Sequence, residues 1–285
     1  MGEARAIVVT GASTGIGRAC VAKAAQEGAH VFAAVRKATD ADSLKAEFGA
    51  AVTPLFMDVA KPEEIAAAAR EVDARLDGRR LFGLVNNAGV AVPGPLPLME
   101  TSELKRQFEI NLFGAHETTR AFLPLLGMDE ARTGPKGRIV MMSSVGGRIG
   151  NPILGAYAAS KHALEGYSQS LRRDLLLYGI DVIVVAPAAV NTPIWAKDED
   201  LARYRGTDYD ATLAKLEKIM KRLGDEGLPA SAVADAVWRG LTDARPRPRV
   251  TVARNALTSD VLPRLLPERF VNRMMARMLH LQPKS

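Results

Sequence analysis

Tyr157 and Lys161 stand four residues apart in Tyr157-Ala158-Ala159-Ser160-Lys161, a spacing that puts both side chains on one face of a helix. A phenol is a poor acid-base group at neutral pH, with a reference pKa of about 10, but a neighbouring ammonium favours the phenolate and lowers that value. A tyrosine tuned in this way gives a proton to a carbonyl oxygen or takes one from an alcohol. Taken alone, the pair is more simply read as an amphipathic helix with an interfacial Tyr and a solvated Lys. Chemistry at this pair therefore needs support from elsewhere in the chain.

A second feature supplies it. Thr10-Gly11-Ala12-Ser13-Thr14-Gly15-Ile16-Gly17 follows a short β-branched run and opens a helix, the context of a dinucleotide-binding turn. Gly11 suits the tight turn, Gly15 lets backbone approach a pyrophosphate, and Gly17 allows close helix packing. The helix N-terminus offers free N–H groups and partial positive charge to an anion. Glycines at a strand-to-helix turn also arise simply to permit left-handed backbone angles. At the end of the second apolar run, where an acid would bind the ribose hydroxyls of NAD, the chain has Arg36 and Lys37. Arg36 fits a 2′-phosphate, so NADP(H) is the preferred cofactor and NAD(H) the alternative. A merely solvated basic pair is the bland reading of the same two residues.

These residues need a scaffold. Apolar runs at 7–9, 30–35, 52–57, 81–85, 138–142, 181–185 and 249–252 alternate with stretches of helical period at 15–27, 62–76, 102–126, 157–178 and 231–242. That alternation predicts an α/β fold, a doubly wound Rossmann-type sheet of seven parallel strands with helices on both faces. Most strands are apolar at consecutive positions, as expected where both faces are covered. With 285 residues, 47% of them hydrophobic, one domain is expected over 1–256. It includes a long variable loop at 191–227 with a helix at 211–223. Residues 257–285 form a basic amphipathic extension, with Arg264, Arg269, Arg273 and Arg277 among Leu, Val, Phe and Met. Its apolar side could cover the core, a partner subunit or a membrane surface.

The single cysteine, Cys20, excludes an intramolecular disulfide and a cysteine-based metal cluster, and points to a reducing compartment. His30, His116, His162 and His280 are scattered without ligand spacing, so no metal is expected. The opening residues show neither a signal peptide nor a membrane span, and a cytoplasmic protein is expected. The net charge of +6 suits anionic ligands without choosing among them. The arginine-rich tail lacks an aromatic-interleaved platform, so no nucleic acid is expected as a partner.

Four separated motifs, Gly11-x-x-x-Gly15-x-Gly17, Asn86-Asn87-Ala88-Gly89, Ser144 and Tyr157-x-x-x-Lys161, resemble in order and spacing those of the short-chain dehydrogenase/reductase family. The likeness spans roughly residues 5–252, and the overall layout looks most like its hydroxysteroid and retinol dehydrogenase members. The resemblance implies a catalytic set of Asn111, Ser144, Tyr157 and Lys161. In it Ser144, thirteen residues before Tyr157, holds the substrate oxygen, with Ser143 as the neighbouring alternative. Asn111 holds a water connecting Lys161 to solvent, the plainer reading being an Asn bonded to backbone at a helix kink, and Lys161 also binds the nicotinamide ribose. The cofactor set implied is Gly11, Ser13, Thr14, Gly15, Ile16, Gly17, Arg36, Asp58, Val59, Asn87, Ala88, Gly89, Tyr157, Lys161, Pro187, Val190 and Thr192. Asp58 could equally serve as a turn or capping residue. Where relatives carry Pro-Gly before that threonine, this chain has Pro187-Ala188, which puts the local backbone path in question.

Val145, Ile149, Leu154, Ile194 and Trp195, with Ser144 and Tyr157, form a candidate wall for an apolar alcohol or ketone. The expected activity is oxidoreduction between a carbonyl and an alcohol on a small apolar molecule. The resemblance also implies a homodimer or homotetramer paired through helices matching 102–126 and 157–178. A non-catalytic cofactor sensor would keep the glycine turn and Arg36 but has no need of both Tyr157 and Lys161.

Overall fold

The computed structural model describes residues 5–192 and 199–282. Seven strands, β1 (Ala6–Val9), β2 (His30–Val35), β3 (Val52–Phe56), β4 (Gly83–Asn86), β5 (Arg138–Met142), β6 (Asp181–Pro187) and β7 (Arg249–Val252), form one parallel sheet. Their order is β3-β2-β1-β4-β5-β6-β7. Strand order reverses between β1 and β4, and in such sheets ligands bind at the carboxyl ends beside that reversal.

The consecutive apolar residues of each strand serve two cores. Val9, Val31, Val85, Val140 and Ile183 pack on one face with Val21 of α1 (Gly15–Gln26) and Leu44 of α2 (Ala38–Phe48). Val8, Phe32, Leu84, Ile139 and Val182 pack on the other with Ile65 of α3 (Pro62–Leu76) and Phe122. Fully burying such a side chain contributes about 1.5–3 kcal/mol, so the two-sided sheet is the main stabilising unit. The expected seven-stranded Rossmann-type fold is therefore present as a single domain.

Helix α2 was not anticipated. Its sequence ATDADSLKAEF buries only Ala41 and Leu44, too few apolar positions to mark a period. The single helix expected over 102–126 is instead α4 (Thr101–Phe108), a π-helical turn at Glu109–Phe113, α5 (Gly114–Leu123) and a second π-turn at Pro124–Met128. The catalytic-helix candidate is α6 (Gly155–Asp174), continued by a tighter turn to Tyr178.

In the variable segment lie α7 (Glu199–Ala202) and α8 (Asp210–Glu226), followed by α9 (Ala230–Thr242). Leu213 and Leu216 of α8 are buried with Leu201, Tyr204 and Ile153. The extension holds a π-turn at Leu257–Val261, α10 (Leu262–Leu265) and α11 (Glu268–Leu279). Among the described residues no helix is long and apolar enough to cross a membrane.

Candidate active site

A cavity of about 340 Å³ opens at the carboxyl ends of the strands. Its lining gathers Gly11, Ser13, Thr14, Gly15, Ile16 and Gly17 from the first turn; Arg36, Asp58 and Val59 from the ends of β2 and β3; and Asn87, Ala88 and Gly89 from the end of β4. Ser144, Tyr157, Lys161, Pro187, Val190 and Thr192 line the same space. Ala34, Val35, Lys37, Asp40, Met57, Val90, Ala91, Ile110, Met142, Ser143 and Ala188 complete it; apart from Lys37, Ser143 and Ala188, these are ordinary strand-end and helix positions that carried no signal.

The turn between β1 and α1 has the shape of an anion cradle. Gly11 and Gly15 take φ of 62° and 54°, the left-handed region open to glycine. A Cβ on Gly17 would stand 2.1 Å from the Gly11 carbonyl oxygen, so only glycine admits this approach. Thr10 Oγ1 accepts the backbone N–H groups of Asn87 and Ala88, both at 2.9 Å, and Asn87 Nδ2 donates to the Thr10 carbonyl at 2.9 Å. These bonds lock the first and fourth strand ends together. No side chain caps α1 and its first turn holds no acid, so its free N–H groups and positive dipole end face the cavity. That uncapped N-terminus and the space kept clear by glycine fit the diphosphate of a dinucleotide.

At the adenosine end, the exposed guanidinium of Arg36 lies 3.7 Å from Asp58. Asp58 plays the turn role as well, accepting the Ala60 N–H at 3.1 Å. Arg36 and Lys37 thus offer two cations to a phosphate, moderated by the carboxylates of Asp40 and Asp58.

Tyr157, Lys161 and Ser144 converge at the other end. Lys161 Nζ lies 5.8 Å from the centre of the Tyr157 ring and donates to the Met142 carbonyl at 2.7 Å. Both residues are buried. Burial pushes the Tyr157 phenol up, opposed by a hydrogen bond with Ser144. Desolvation of the phenol is the larger effect, and the contribution that counters it comes from Ser144. Burial acts on Lys161 in the other direction, lowering it to about 8. Ser144 caps the turn Val145–Gly147 by accepting the Gly146 N–H at 3.1 Å. The alternative Ser143 is committed elsewhere, donating to Glu165 at 2.9 Å.

Asn111 sits in the π-turn between α4 and α5, 1% exposed. Its Oδ1 accepts the Val90 N–H at 2.9 Å, and its Nδ2 donates to the Val90 carbonyl at 3.0 Å and to Ser160 at 3.1 Å. It does not line the cavity, yet a Cβ placed on Gly89 would lie 3.2 Å from its Oδ1 and 3.7 Å from Lys161 Nζ. The π-turn, often found at functional sites, brings this amide beside the lysine.

The expected substrate wall lies only partly along this cavity, through Ser144 and Tyr157. Val145, Ile149 and Leu154 are half-buried and do not line the cavity. Val145 starts a tight turn closed by Gly147 N to Ser144 O at 2.9 Å and Arg148 N to Val145 O at 3.1 Å, and Leu154 precedes α6 as its cap. Apolar side chains that do line it near Ser144 and Tyr157 include Val90, Ala91, Ile110 and Met142. Ile194 and Trp195 lie outside the described residues. Ala188, in place of the expected glycine, causes no strain: its φ is not positive, and its N–H donates to Val252 at 2.9 Å.

A buried ionic network behind the site went unnoticed in the sequence. Glu165, on α6, receives Arg249 Nε at 3.0 and 2.9 Å, and Arg148 Nε approaches it at 3.3 Å. Arg249 also binds Asp260 of the extension at 2.6 Å. Residues 84 positions apart leave no pattern to find.

The geometry defines a nucleotide-dependent oxidoreductase. The chain belongs to the short-chain dehydrogenase family, whose model matches residues 5–202. It is 35% identical over 272 residues, 95% of each chain, to an NADPH-dependent 3-dehydrocapnine reductase of Ornithobacterium rhinotracheale. It is 31% identical to retinol dehydrogenase 5 of Mus musculus, covering 96% of this chain and 88% of that one. A short-chain dehydrogenase/reductase of Burkholderia phymatum solved in complex with NAD superimposes with a TM-score of 0.73 at 25% identity, over 99% and 97% of the two chains. The expected oxidoreductase class is thereby established, as is carbonyl–alcohol oxidoreduction in general terms. Among the described residues no acid, histidine and cysteine cluster could hold a metal.

Proposed function

We propose that this chain is an NADP(H)-dependent oxidoreductase that interconverts a carbonyl and an alcohol on an apolar small molecule, with Tyr157 as general acid and base. The observation that carries the proposal is the convergence of Tyr157, Lys161 and Ser144 on one cavity whose far end presents Arg36. The bound cofactor supplies or accepts the hydride at the substrate carbon. In reduction Tyr157 Oη donates its proton to the carbonyl oxygen, which the Ser144 hydroxyl holds by a hydrogen bond. In oxidation the tyrosine takes that proton back. Lys161 binds the nicotinamide ribose and places positive charge beside the phenol, and Asn111 steadies the neighbouring backbone and a water leading to solvent. Gly11, Ser13, Thr14, Gly15, Ile16 and Gly17 hold the diphosphate, and Asp58, Val59, Asn87, Ala88 and Gly89 line the adenosine passage. Pro187, Val190 and Thr192 meet the nicotinamide amide. The apolar lining of Val90, Ala91, Ile110 and Met142 favours a hydrophobic substrate, in keeping with relatives named for retinol and 3-dehydrocapnine.

An NAD-dependent dehydrogenase is the second reading, favoured by the carboxylates of Asp40 and Asp58 beside Arg36 and by the NAD complex of the Burkholderia relative. Steady-state turnover of a carbonyl and alcohol panel with both cofactors separates the two. Higher kcat/KM with NADPH is expected. Arg36→Ala should cut the NADPH value about ten- to a hundredfold, the worth of a charge-assisted phosphate contact, and leave NADH nearly unchanged. Higher efficiency with NADH, or equal loss with both, would reject the NADP(H) assignment. We further propose a homodimer or homotetramer paired through α4–α5 and α6, where Phe113 is 50% exposed, and a reducing, cytoplasmic setting in keeping with the free Cys20.

A further inference from the structure

Exposed apolar side chains are concentrated in the C-terminal extension. Seven of the fourteen large exposed hydrophobics among the described residues fall between Leu257 and Met278. On α11, Phe270, Met274 and Met278 are 55%, 47% and 46% exposed, and their i, i+4, i+8 spacing makes them one stripe. Arg269, Arg273 and Arg277, all exposed, form a parallel stripe about 100° away in projection. The third face carries Val271 and Met275, half-buried, and Leu279, buried, and α11 packs against α8. The helix is thus anchored to the molecule by one side while its apolar and basic stripes lie together on the outside.

We propose that this face docks on an anionic lipid surface. An apolar stripe flanked by arginines is the pattern of a helix lying in the plane of a bilayer interface, with Phe and Met among the acyl chains and guanidinium groups reaching the headgroups. The charge balance selects the anionic case. Arg264, Arg269, Arg273 and Arg277 are all exposed, and the acids of the segment are the exposed Glu268 and Asp260, which is buried against Arg249. A protein surface able to cover the same stripe would need acids facing four arginines, which an anionic bilayer offers without specific geometry. The docked helix is joined to the site through one intermediate helix: α11 rests on α8, and α8 buries Leu213 and Leu216 with Ile153, in the segment joining Ser144 to Tyr157. An apolar substrate dissolved in the bilayer would meet the variable loop first. This last point rests on the proposed activity, whereas the docking does not.

The test is flotation of the purified full chain with vesicles of phosphatidylcholine containing phosphatidylglycerol and with phosphatidylcholine alone. Binding to the anionic vesicles, weakened by salt and much smaller on neutral ones, is expected. Combined Arg269→Glu, Arg273→Glu and Arg277→Glu should lower the partition coefficient at least about tenfold, as should combined Phe270→Ser, Met274→Ser and Met278→Ser. Absence of binding to anionic vesicles, or binding unchanged by both sets, would overturn the proposal. A dimer that the serine set converts to monomer, without vesicle binding by the unaltered chain, would assign the face to a second copy instead. Turnover of a water-soluble carbonyl is read in parallel and should be unaltered in both sets. Its absence in every protein, beside intact vesicle binding, would reject the proposed reaction and leave the docking face standing.

Discussion

Burial moves the two groups at the centre of the site in opposite directions, the Tyr157 phenol up and the Lys161 ammonium down to about 8. The lysine value has a consequence for stability. Unfolded, Lys161 titrates near about 10.4, so between pH 8 and that value the unfolded chain binds more protons and stability rises with pH. Below pH 8 the buried ammonium costs on the order of 3 kcal/mol, taking about 1.4 kcal/mol per pH unit. Lys161→Met removes that cost, so the variant should exceed the parent in denaturant stability at pH 7 by an amount that shrinks towards pH 10. A difference that does not vary with pH would contradict the desolvated lysine. Tyr157, Lys161 and the glycine turn were legible in the sequence because each depends on short spacings, whereas Ser144 was picked out through the resemblance to a family. The order of the phenol shift was not, since it depends on how completely the fold removes water from both groups.

At the level of elements, the strands were readable to within a residue or two because sheets covered on both faces demand continuous apolar runs. Helix α2 escaped because it rests on two buried side chains. A kink at Asn111 was one reading of the sequence, but its extent over Glu109–Phe113 and its partner Val90 were not, because they rest on a contact between distant segments. The same reasoning applies to the network joining α6, β7 and the extension. Arg249 holds Glu165 and Asp260, and the side chains of all three are 12% exposed or less. Removing this cation leaves Glu165 with Arg148 alone and takes from the buried Asp260 its ion-pair partner, so Arg249→Met should destabilise the fold by about 3–5 kcal/mol. Urea titration is the measurement, and a loss below about 1 kcal/mol would mean that water or another cation compensates.

Over the whole molecule, one parallel sheet brings strand ends that are far apart in sequence to a single cavity, with the glycine turn and Arg36 towards one end and Ser144, Tyr157 and Lys161 towards the other. The substrate wall was the least legible part, because Val145, Ile149 and Leu154 stand outside the cavity lining, Ile194 and Trp195 lie outside the described residues, and spacing in such segments carries little information. The account as a whole stands on Tyr157 moving the proton. The direct measurement is kcat/KM of Tyr157→Phe with NADPH on a carbonyl substrate, beside NADPH affinity from cofactor fluorescence. Affinity should stay within a few-fold while kcat/KM falls about 10²–10⁴-fold, the worth of a positioned general acid. Turnover equal to the parent with cofactor binding intact would contradict it.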